Sequence, residues 1–350
     1  MSVKIALDAQ GADLGMAEVI AGARIAASEG VAVTLFGPED EVRAELGSDT
    51  AGISIVHAPE VVTNHDEPAT AVRARRESSI VLAAKAVASG EADALVSAGP
   101  TGAALAASLF NMKRIKGVRR PAIAVILPDA REGHSLLLDA GANVEVPAET
   151  LVQFAHLGAQ FSARVLDHPN PRVGLLSIGE ESGKGTERVV EAGRLLADPE
   201  NAHGFNYLGN VEGRDITAGT VDVVVTDGFT GNVALKAIEG AARATMLAIV
   251  DAIKADPVAK FGGLLAKRQL MKLRERIDPN TTGGALLLGL RGVAVVAHGS
   301  SNAAGIAAAI RLAVRSVEGD VTGHMATAIA DLNAHTAERD GVTVGIADDA

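Results

Sequence analysis

The stretch Val221-Asp222-Val223-Val224-Val225-Thr226-Asp227-Gly228-Phe229-Thr230-Gly231-Asn232-Val233-Ala234-Leu235-Lys236 decides the fold of this chain. Its front is a short apolar, β-branched run, which reads as a buried parallel strand. Its back is rich in Ala, Leu and Lys and continues through Glu239 to Val250, which reads as a helix. Between them stands Asp-Gly-Phe-Thr-Gly-Asn, made of residues that tolerate positive φ or cap helices. A strand that stops at such a turn and opens a helix aims free backbone N–H groups and a positive dipole end at one point, and that point suits an anion. The reading is a phosphate bound there and used chemically. The same turn also reads as a tight connection with a Thr or Asn cap. It lacks a Gly-x-Gly-x-x-Gly pattern, so a dinucleotide is not favoured.

The rest of the chain bounds the classes open to it. With 350 residues, 48% of them apolar, it has material for one large α/β domain or two smaller ones. Aromatics are 2%, with no Trp and one Tyr, which weakens any case for base stacking on single-stranded nucleic acid. The net charge of −11 argues against a general nucleic-acid binder. The absence of Cys excludes disulfides, thiolate zinc sites and cysteine nucleophiles. The N-terminus carries no long apolar run of the secretory kind, and no uncharged stretch of about 20 apolar residues occurs. The expected location is the cytoplasm.

Strands are expected over residues 3–7, 31–36, 53–57, 94–97, 123–127, 135–138, 173–178, 221–225 and 293–297. Helices are expected between them, including one long helical stretch over 69–89 and another from 147 to about 166. The alternation of strand and helix predicts a mostly parallel sheet with helices on both faces. In such sheets the loops after the strands' carboxyl ends gather in one crevice. Gly-rich turns follow strand after strand here, so one shared crevice is expected. No linker or fixed-period repeat divides the chain. The expected organisation is a single α/β unit over 1–337 with a helical excursion near 255–280, and a loose acidic tail over 338–350.

Each remaining motif has a plain alternative. The turn 179–186 superficially looks like a nucleotide-binding loop. Only three residues separate Gly179 from Gly183, and Gly185 follows Lys184, so the ATP motif is rejected. Lys184 on that turn suits an anion ligand or oxyanion stabiliser, or is a solvated lysine. The small-residue turn 97–103 lets backbone approach a ligand, or simply packs. His298, before Gly299-Ser300-Ser301, suits acid–base work or is a hydrogen-bonded strand-end histidine. Asp8 and Asp13 are read as caps rather than as a cation site. No Gly-x-Ser-x-Gly elbow supports a serine triad. The basic run 113–120, with Lys113, Arg114 and Lys116, is either a solvated face or a docking patch for an acidic partner. The stretch 261–276 mixes apolar Leu264 and Leu265 with cationic Lys267 and Arg268 at roughly helical spacing. It fits a subunit interface or an anionic membrane surface equally.

Together these turns resemble the phosphate acyltransferases of bacterial phospholipid synthesis (PlsX family), from residue 3 to about 317. The resemblance rests on Asp8-Ala9-Gln10-Gly11-Ala12-Asp13, Glu67-Pro68 with Ser78-Ser79, Ser97-Ala98-Gly99-Pro100-Thr101-Gly102-Ala103, Leu138-Asp139-Ala140-Gly141-Ala142-Asn143, Gly179-Glu180-Glu181 with Lys184-Gly185, Asn210-Val211-Glu212-Gly213-Arg214-Asp215, residues 227–232, and His298-Gly299-Ser300-Ser301. The family usually has Met and Gly where Gln10 and Ala12 stand, Asn where Pro100 stands, and often Asn at Ser177. Pro100 has no N–H, which puts one expected ligand of that turn in question.

The resemblance implies transfer of a long-chain acyl group from acyl carrier protein to inorganic phosphate, giving acyl phosphate. It also implies a homodimer, peripheral association with an anionic membrane surface, and no metal or organic cofactor. The implied fold is a three-layer α/β/α sandwich like those of phosphotransacetylases and isocitrate dehydrogenases. Such chemistry needs neither a strong base nor a strong acid, because phosphate is already anionic and a thiol of pKa about 8.5 leaves readily. It needs positioning and oxyanion stabilisation, worth roughly 3–4 kcal/mol per well-placed donor. The expected reacting centre is Lys184 and Asn232. Ser97, Gly99, Thr101, Asn143, Thr230 and Gly231 are expected to hold phosphate, with Asp227, Asp139 and His298 orienting them. Lys113, Arg114, Lys116, Leu264, Leu265, Lys267 and Arg268 are expected at the carrier protein or the membrane. A short-chain phosphotransacetylase using coenzyme A and a non-catalytic phospho-ligand sensor are the alternatives.

Overall fold

The structure, a computed structural model, describes residues 2–48, 50–131 and 133–339. The elements follow in the order β1 (Lys4–Asp8), α1 (Met16–Ser28), β2 (Ala32–Gly37), α2 (Glu39–Leu46), β3 (Ile53–His57), α3 (Pro68–Ala74), α4 (Ser79–Ser89), β4 (Ala94–Ser97) and α5 (Thr101–Met112). Next come β5 (Ala122–Pro128), β6 (His134–Leu138), α6 (Ala148–Val165), β7 (Arg172–Leu176), α7 (Glu187–Leu196), β8 (Asn206–Val211) and β9 (Val223–Val225). The chain continues with α8 (Gly228–Lys254), α9 (Pro257–Ile277), α10 (Pro279–Thr282), β10 (Ala285–Leu288), β11 (Val293–Val296), α11 (Ala303–Glu318) and α12 (Val321–Arg339). From residue 340 onward the expected acidic tail lies outside the described residues.

All eleven strands form one sheet, ordered β3-β2-β1-β4-β11-β10-β5-β6-β9-β7-β8. Side chains alternate between its faces, as strand geometry requires. Ile5, Leu7, Leu136, Leu138, Val223, Val225, Val293 and Val295 enter one apolar layer. Ala6, Leu137, Val224, Ala294 and Val296 enter the other. The first layer packs under α1, α2, α6, α7, α11 and α12, and the second under α3, α4, α5 and α8. The result is an α/β/α sandwich. Both faces of the sheet are covered, which explains strands that read as continuous Val/Leu runs.

Parallel pairings dominate, but three are antiparallel: β10 with β11, β10 with β5, and β5 with β6. These reversals divide the sheet. Strands β1 to β4 and β11 point one way, while β6, β7, β8 and β9 point the other. The single crevice expected from an all-parallel reading is therefore corrected. The turns after β1, β4 and β11 lie at one end of the sheet, and those after β6, β7 and β9 at the opposite end.

Two other expectations change. The helical stretch over 69–89 is two helices, α3 and α4. Arg75 breaks it: its guanidinium bonds both oxygens of Asp66 and the Val61 carbonyl. Ser79 N–H reaches Glu60 O instead of its own helix. Strands β8 and β10 were not expected at all. β10 is only four residues long, and β8 carries Asn206, Gly209 and Asn210, which weaken a strand pattern.

Candidate active site

On the second face, α4 covers β4, α5 packs against β11, and α8 packs against β6. Between α5 and α8, strands β5 and β10 are left partly bare, and a cleft of about 720 Å³ opens there. Its floor is Ile123, Val125 and Leu127 of β5 with Ala285 of β10. Leu105 of α5 forms one wall, and Leu235, Ile238 and Ala242 of α8 form the other. The last three sit at i, i+3 and i+7 and so share one stripe of the helix. Such a cleft, mostly apolar with a few polar groups at its rim, is the usual form of a small-ligand site.

The α8 rim is built on Asp139, which is fully buried. Its carboxylate accepts N–H groups from Ile123, Gly141, Ala142 and Asn143, and the Asn143 side-chain amide as well. The Asn143 amide also holds the Pro121 carbonyl at 2.8 Å. This cage is pressed against the start of α8. A Cβ on Gly231 would stand 1.9 Å from Asp139 O, and one on Gly228 would stand 2.4 Å from Asn143 O. Only glycine permits that approach.

The expectation of free N–H groups at this helix start is corrected by the structure. Gly228 N–H donates to Asn143 O at 2.7 Å and Phe229 N–H to Val144 O at 3.3 Å. Thr230 N–H donates to the Asp227 carboxylate at 2.7 Å, and Gly231 N–H to Asp227 O. The turn spends its donors on the neighbouring β6 turn and on its own cap. Asp227 is that cap, Thr230 is exposed, and Gly231 is buried. What this rim offers the cleft is Asn232. Its side chain lies about one contact from Gly141 and has no hydrogen-bond partner among the described residues.

Lys184 belongs to the same end of the sheet, on the turn after β7. Its carbonyl is fixed by Ser177 Oγ at 2.9 Å and Asn210 Nδ2 at 3.2 Å. Its side chain is exposed, passes over Gly179, and does not line the cleft.

The α5 rim is built on a second buried aspartate. Asp8 accepts Ser97 Oγ at 2.7 Å and Gln10 N–H at 3.2 Å, and Ser79 also bonds it. Burial pushes its carboxyl up to about 6, against the lowering effect of these bonds. Ser97 Oγ in turn accepts Gly99 N–H at 3.0 Å. Ser97 and Gly99, expected as phosphate ligands, are thus internal braces of the turn. Beyond them Pro100 is the residue before α5, with no side-chain cap. The N–H groups of Thr101 and Gly102 have no partner among the described residues, and both residues line the cleft. His298 lines it too. Its Nδ1 accepts Ser300 N–H at 3.2 Å and lies 2.7 Å from Ser300 Oγ, so the neutral ring carries its proton on Nε2.

The expected residues therefore fall into two groups. Asp139, Asn143, Asp227, Thr230, Gly231, Asn232 and Lys184 share one end, and Ser97, Gly99, Thr101 and His298 the other. Three strands, β11, β10 and β5, separate β4 from β6, roughly 20 Å at the usual strand spacing. Asn232, Thr101 and His298 reach the cleft. Sequence reading missed the walls. Leu235 and Ile238 were legible only as helix, although their i, i+3 spacing beside Asn232 was a usable signal. Leu273 and Arg276 of α9 also line the cleft, brought there by tertiary contact that no local pattern records.

The surface residues are placed as follows. Arg114 is folded onto the carbonyls of Val118 and Arg119, while Lys113 and Lys116 are exposed. On α9, Leu264 and Leu265 are 65% and 73% exposed, and Lys267 and Arg268 are exposed beside them. No described helix is long and apolar enough to cross a membrane. Among the described residues no three His, Asp or Glu side chains are grouped to hold a metal ion.

The family model described as "Fatty acid synthesis protein" matches residues 3–324. The chain belongs to this family. It is 47% identical over 319 residues to the phosphate acyltransferase of Pelotomaculum thermopropionicum, covering 90% of this chain and 92% of that one. It is 45% identical over 341 residues to the phosphate acyltransferase of Elusimicrobium minutum, covering 96% of each. Among solved structures it is similar to a phosphotransacetylase from Streptococcus pyogenes, with a TM-score of 0.60, 18% identity, and 91% and 94% of the two chains covered. It is also similar to 4-hydroxythreonine-4-phosphate dehydrogenase from Klebsiella pneumoniae, with a TM-score of 0.53, 13% identity, and 91% and 100% covered. These likenesses concern the fold, the mostly parallel α/β/α sandwich expected from the sequence.

Proposed function

We propose that this member of the phosphate acyltransferase family transfers a long-chain acyl group from acyl carrier protein to inorganic phosphate, supplying acyl phosphate for phosphatidic acid synthesis. The observation that carries the reading is the cleft. It joins an apolar trough, which suits a hydrocarbon chain, to a rim holding the uncommitted amide of Asn232. The acyl chain lies on β5 with its thioester carbonyl at Asn232. Asn232 Nδ2 donates to the carbonyl oxygen as negative charge gathers there, an effect worth about 10²–10³ in rate for one good donor. Phosphate attacks the carbonyl carbon, the tetrahedral adduct collapses, and the thiolate leaves. Lys184, on its anchored turn and four-carbon stem, brings positive charge to the phosphate. Across the cleft, the Thr101 and Gly102 N–H groups and His298 Nε2–H make an anion-attracting lip.

Residues 1–337 act as one catalytic unit, assembled as a homodimer in the cytoplasm. The exposed apolar and cationic face of α9 rests on an anionic membrane surface, where the product is used. Lys113 and Lys116 attract the acidic carrier protein. No metal or organic cofactor takes part.

The test is a panel of acyl donors with phosphate, with acyl phosphate trapped by hydroxylamine. Turnover is expected with long-chain acyl carrier protein and little with acetyl-CoA. The reverse preference would make the chain a short-chain phosphotransacetylase, and binding without turnover of any donor would make it a sensor.

A further inference from the structure

The trough has a direction and a far end. Strand β5 leaves the Asn232 rim at Ile123, where Asp139 holds its N–H, and runs to Pro128. At about 3.3 Å per residue that is roughly 17 Å. Helix α8 follows the same path from Asn232 to Ala242, roughly 15 Å at about 1.5 Å per residue. The two lengths, read from different elements, agree.

At the far end the C-terminal part of α9 reaches the trough. Leu273 and Arg276 line it there, and Arg276 NH2 donates to the Asp129 carbonyl at 2.5 Å, just past the end of β5. Asp129 is itself fixed, since its carboxylate accepts Arg131 N–H at 2.7 Å and Gly133 N–H at 2.9 Å. The segment Thr217–Gly219 backs the same spot: Ala130 N–H reaches Thr217 O, and a Cβ on Gly219 would stand 3.1 Å from the Asp129 carboxyl. The far end is thus a braced hairpin clasped by α9 rather than an open edge.

We propose that Leu273 and the Arg276–Asp129 clasp are the end-stop of the acyl trough and set the longest chain the protein accepts. The inference rests on the acyl-transfer reading above. An extended hydrocarbon chain advances about 1.25 Å per methylene, given C–C bonds of about 1.5 Å at near-tetrahedral angles. A trough of 15–17 Å therefore takes roughly 12–14 methylenes, or an acyl group of about 14–16 carbons counting the carbonyl and the terminal methyl. A longer chain must displace Leu273 or break the clasp. Leu273 is half-exposed, so changing it leaves the folded core intact.

The experiment uses the full chain with acyl carrier protein loaded with saturated acyl groups from 8 to 20 carbons. It reads kcat/KM for phosphate-dependent acyl phosphate formation. Wild-type kcat/KM is expected to climb to about 14–16 carbons and then fall. Leu273→Ala and Arg276→Ala should each move the fall to longer chains, raising kcat/KM on the 18- and 20-carbon donors by about tenfold. Leu273→Trp should move it to shorter chains, and all three should still form acyl phosphate from the 8-carbon donor. A wild-type profile in all three variants, with acyl phosphate still formed, overturns the end-stop while leaving the acyl-transfer reading standing. No phosphate-dependent product from any donor overturns that reading and the end-stop with it.

Discussion

Two helix starts border the cleft from opposite ends of the sheet, and both follow the same local recipe of strand, glycine turn and helix. At α8 the recipe yields a closed joint. Every N–H of its first turn has a partner, and Gly228 and Gly231 exist to let Asp139 and Asn143 come close. At α5 it yields an open lip, where Thr101 and Gly102 line the cleft and their N–H groups have no partner among the described residues. Glycine in a turn thus has two separate uses, close packing and ligand access. The neighbouring strand decides which applies. β9 adjoins β6, whose own turn supplies acceptors at Asn143 and Val144, whereas the turn after β4 braces itself through Ser97 and Asp8.

The sharpest way to break this comparison is to add one carbon at the closed joint. Gly231→Ala sets a methyl against the Asp139 carbonyl, and backbone has to move. A loss of roughly 3–5 kcal/mol is expected in chemical denaturation. A variant as stable as wild type would mean that the two turns are not packed as described.

Asn232, one residue further on, should behave in the opposite way. Asn232→Ala removes an exposed, unpartnered amide, so stability should stay within about 0.5 kcal/mol while kcat falls about 10²–10³-fold. Stopped turnover with an unchanged melting curve separates it from Asn143, whose amide holds Pro121 and Asp139.

Beneath the open lip, Asp8 makes the comparison sensitive to pH. Its carboxyl, near 3.8 in the unfolded chain and about 6 when folded, holds its proton more tightly in the native state. The native state is therefore handicapped above pH 6, and the handicap fades as pH falls from 6 towards 4. Asp8→Asn should be more stable than wild type at pH 7.5 by on the order of 2–3 kcal/mol, and the difference should vanish near pH 4. His156, buried and lowered to about 4 chiefly by desolvation, works in the other direction, because its protonation penalises the folded state as pH drops below 6.5. The difference between variant and wild type, measured at each pH, cancels that shared contribution. A difference independent of pH would remove Asp8 as a buried acid.

The smallest effect is expected at Gly102. A Cβ there meets only the Pro68 ring, at 2.7 Å, and alanine gains about 1 kcal/mol of helix propensity over glycine. Gly102→Ala should change stability by less than about 1 kcal/mol, against several for Gly231→Ala.

How much of this was legible in the sequence follows from range. Val223–Val225 and Leu136–Leu138 announced buried strands because burial on both faces leaves no polar alternation to confuse. The strand–helix alternation announced the layers. The reversal at β5, β6 and β10 was not legible. Ala285–Leu288 is a short apolar run after a long helix, and nothing in it states a direction. That one reversal moved half of the glycine turns to the other end of the sheet. It separated Ser97 and Thr101 from Asn143 and Asn232. Asp139 and Asp8 were visible as strand-end carboxylates, but their roles as internal anchors depend on partners up to 89 residues away.

The central claim is that phosphate attacks an acyl thioester held in the cleft at Asn232, with no acyl group passing onto the protein. The direct measurement mixes the full chain in excess with long-chain acyl carrier protein, with and without phosphate, and follows thioester loss beside the intact mass of the chain. The account predicts no thioester loss without phosphate, rapid acyl phosphate formation with it, and an unchanged protein mass throughout. Thioester loss without phosphate, matched by a gain of one acyl mass on the chain, would contradict it.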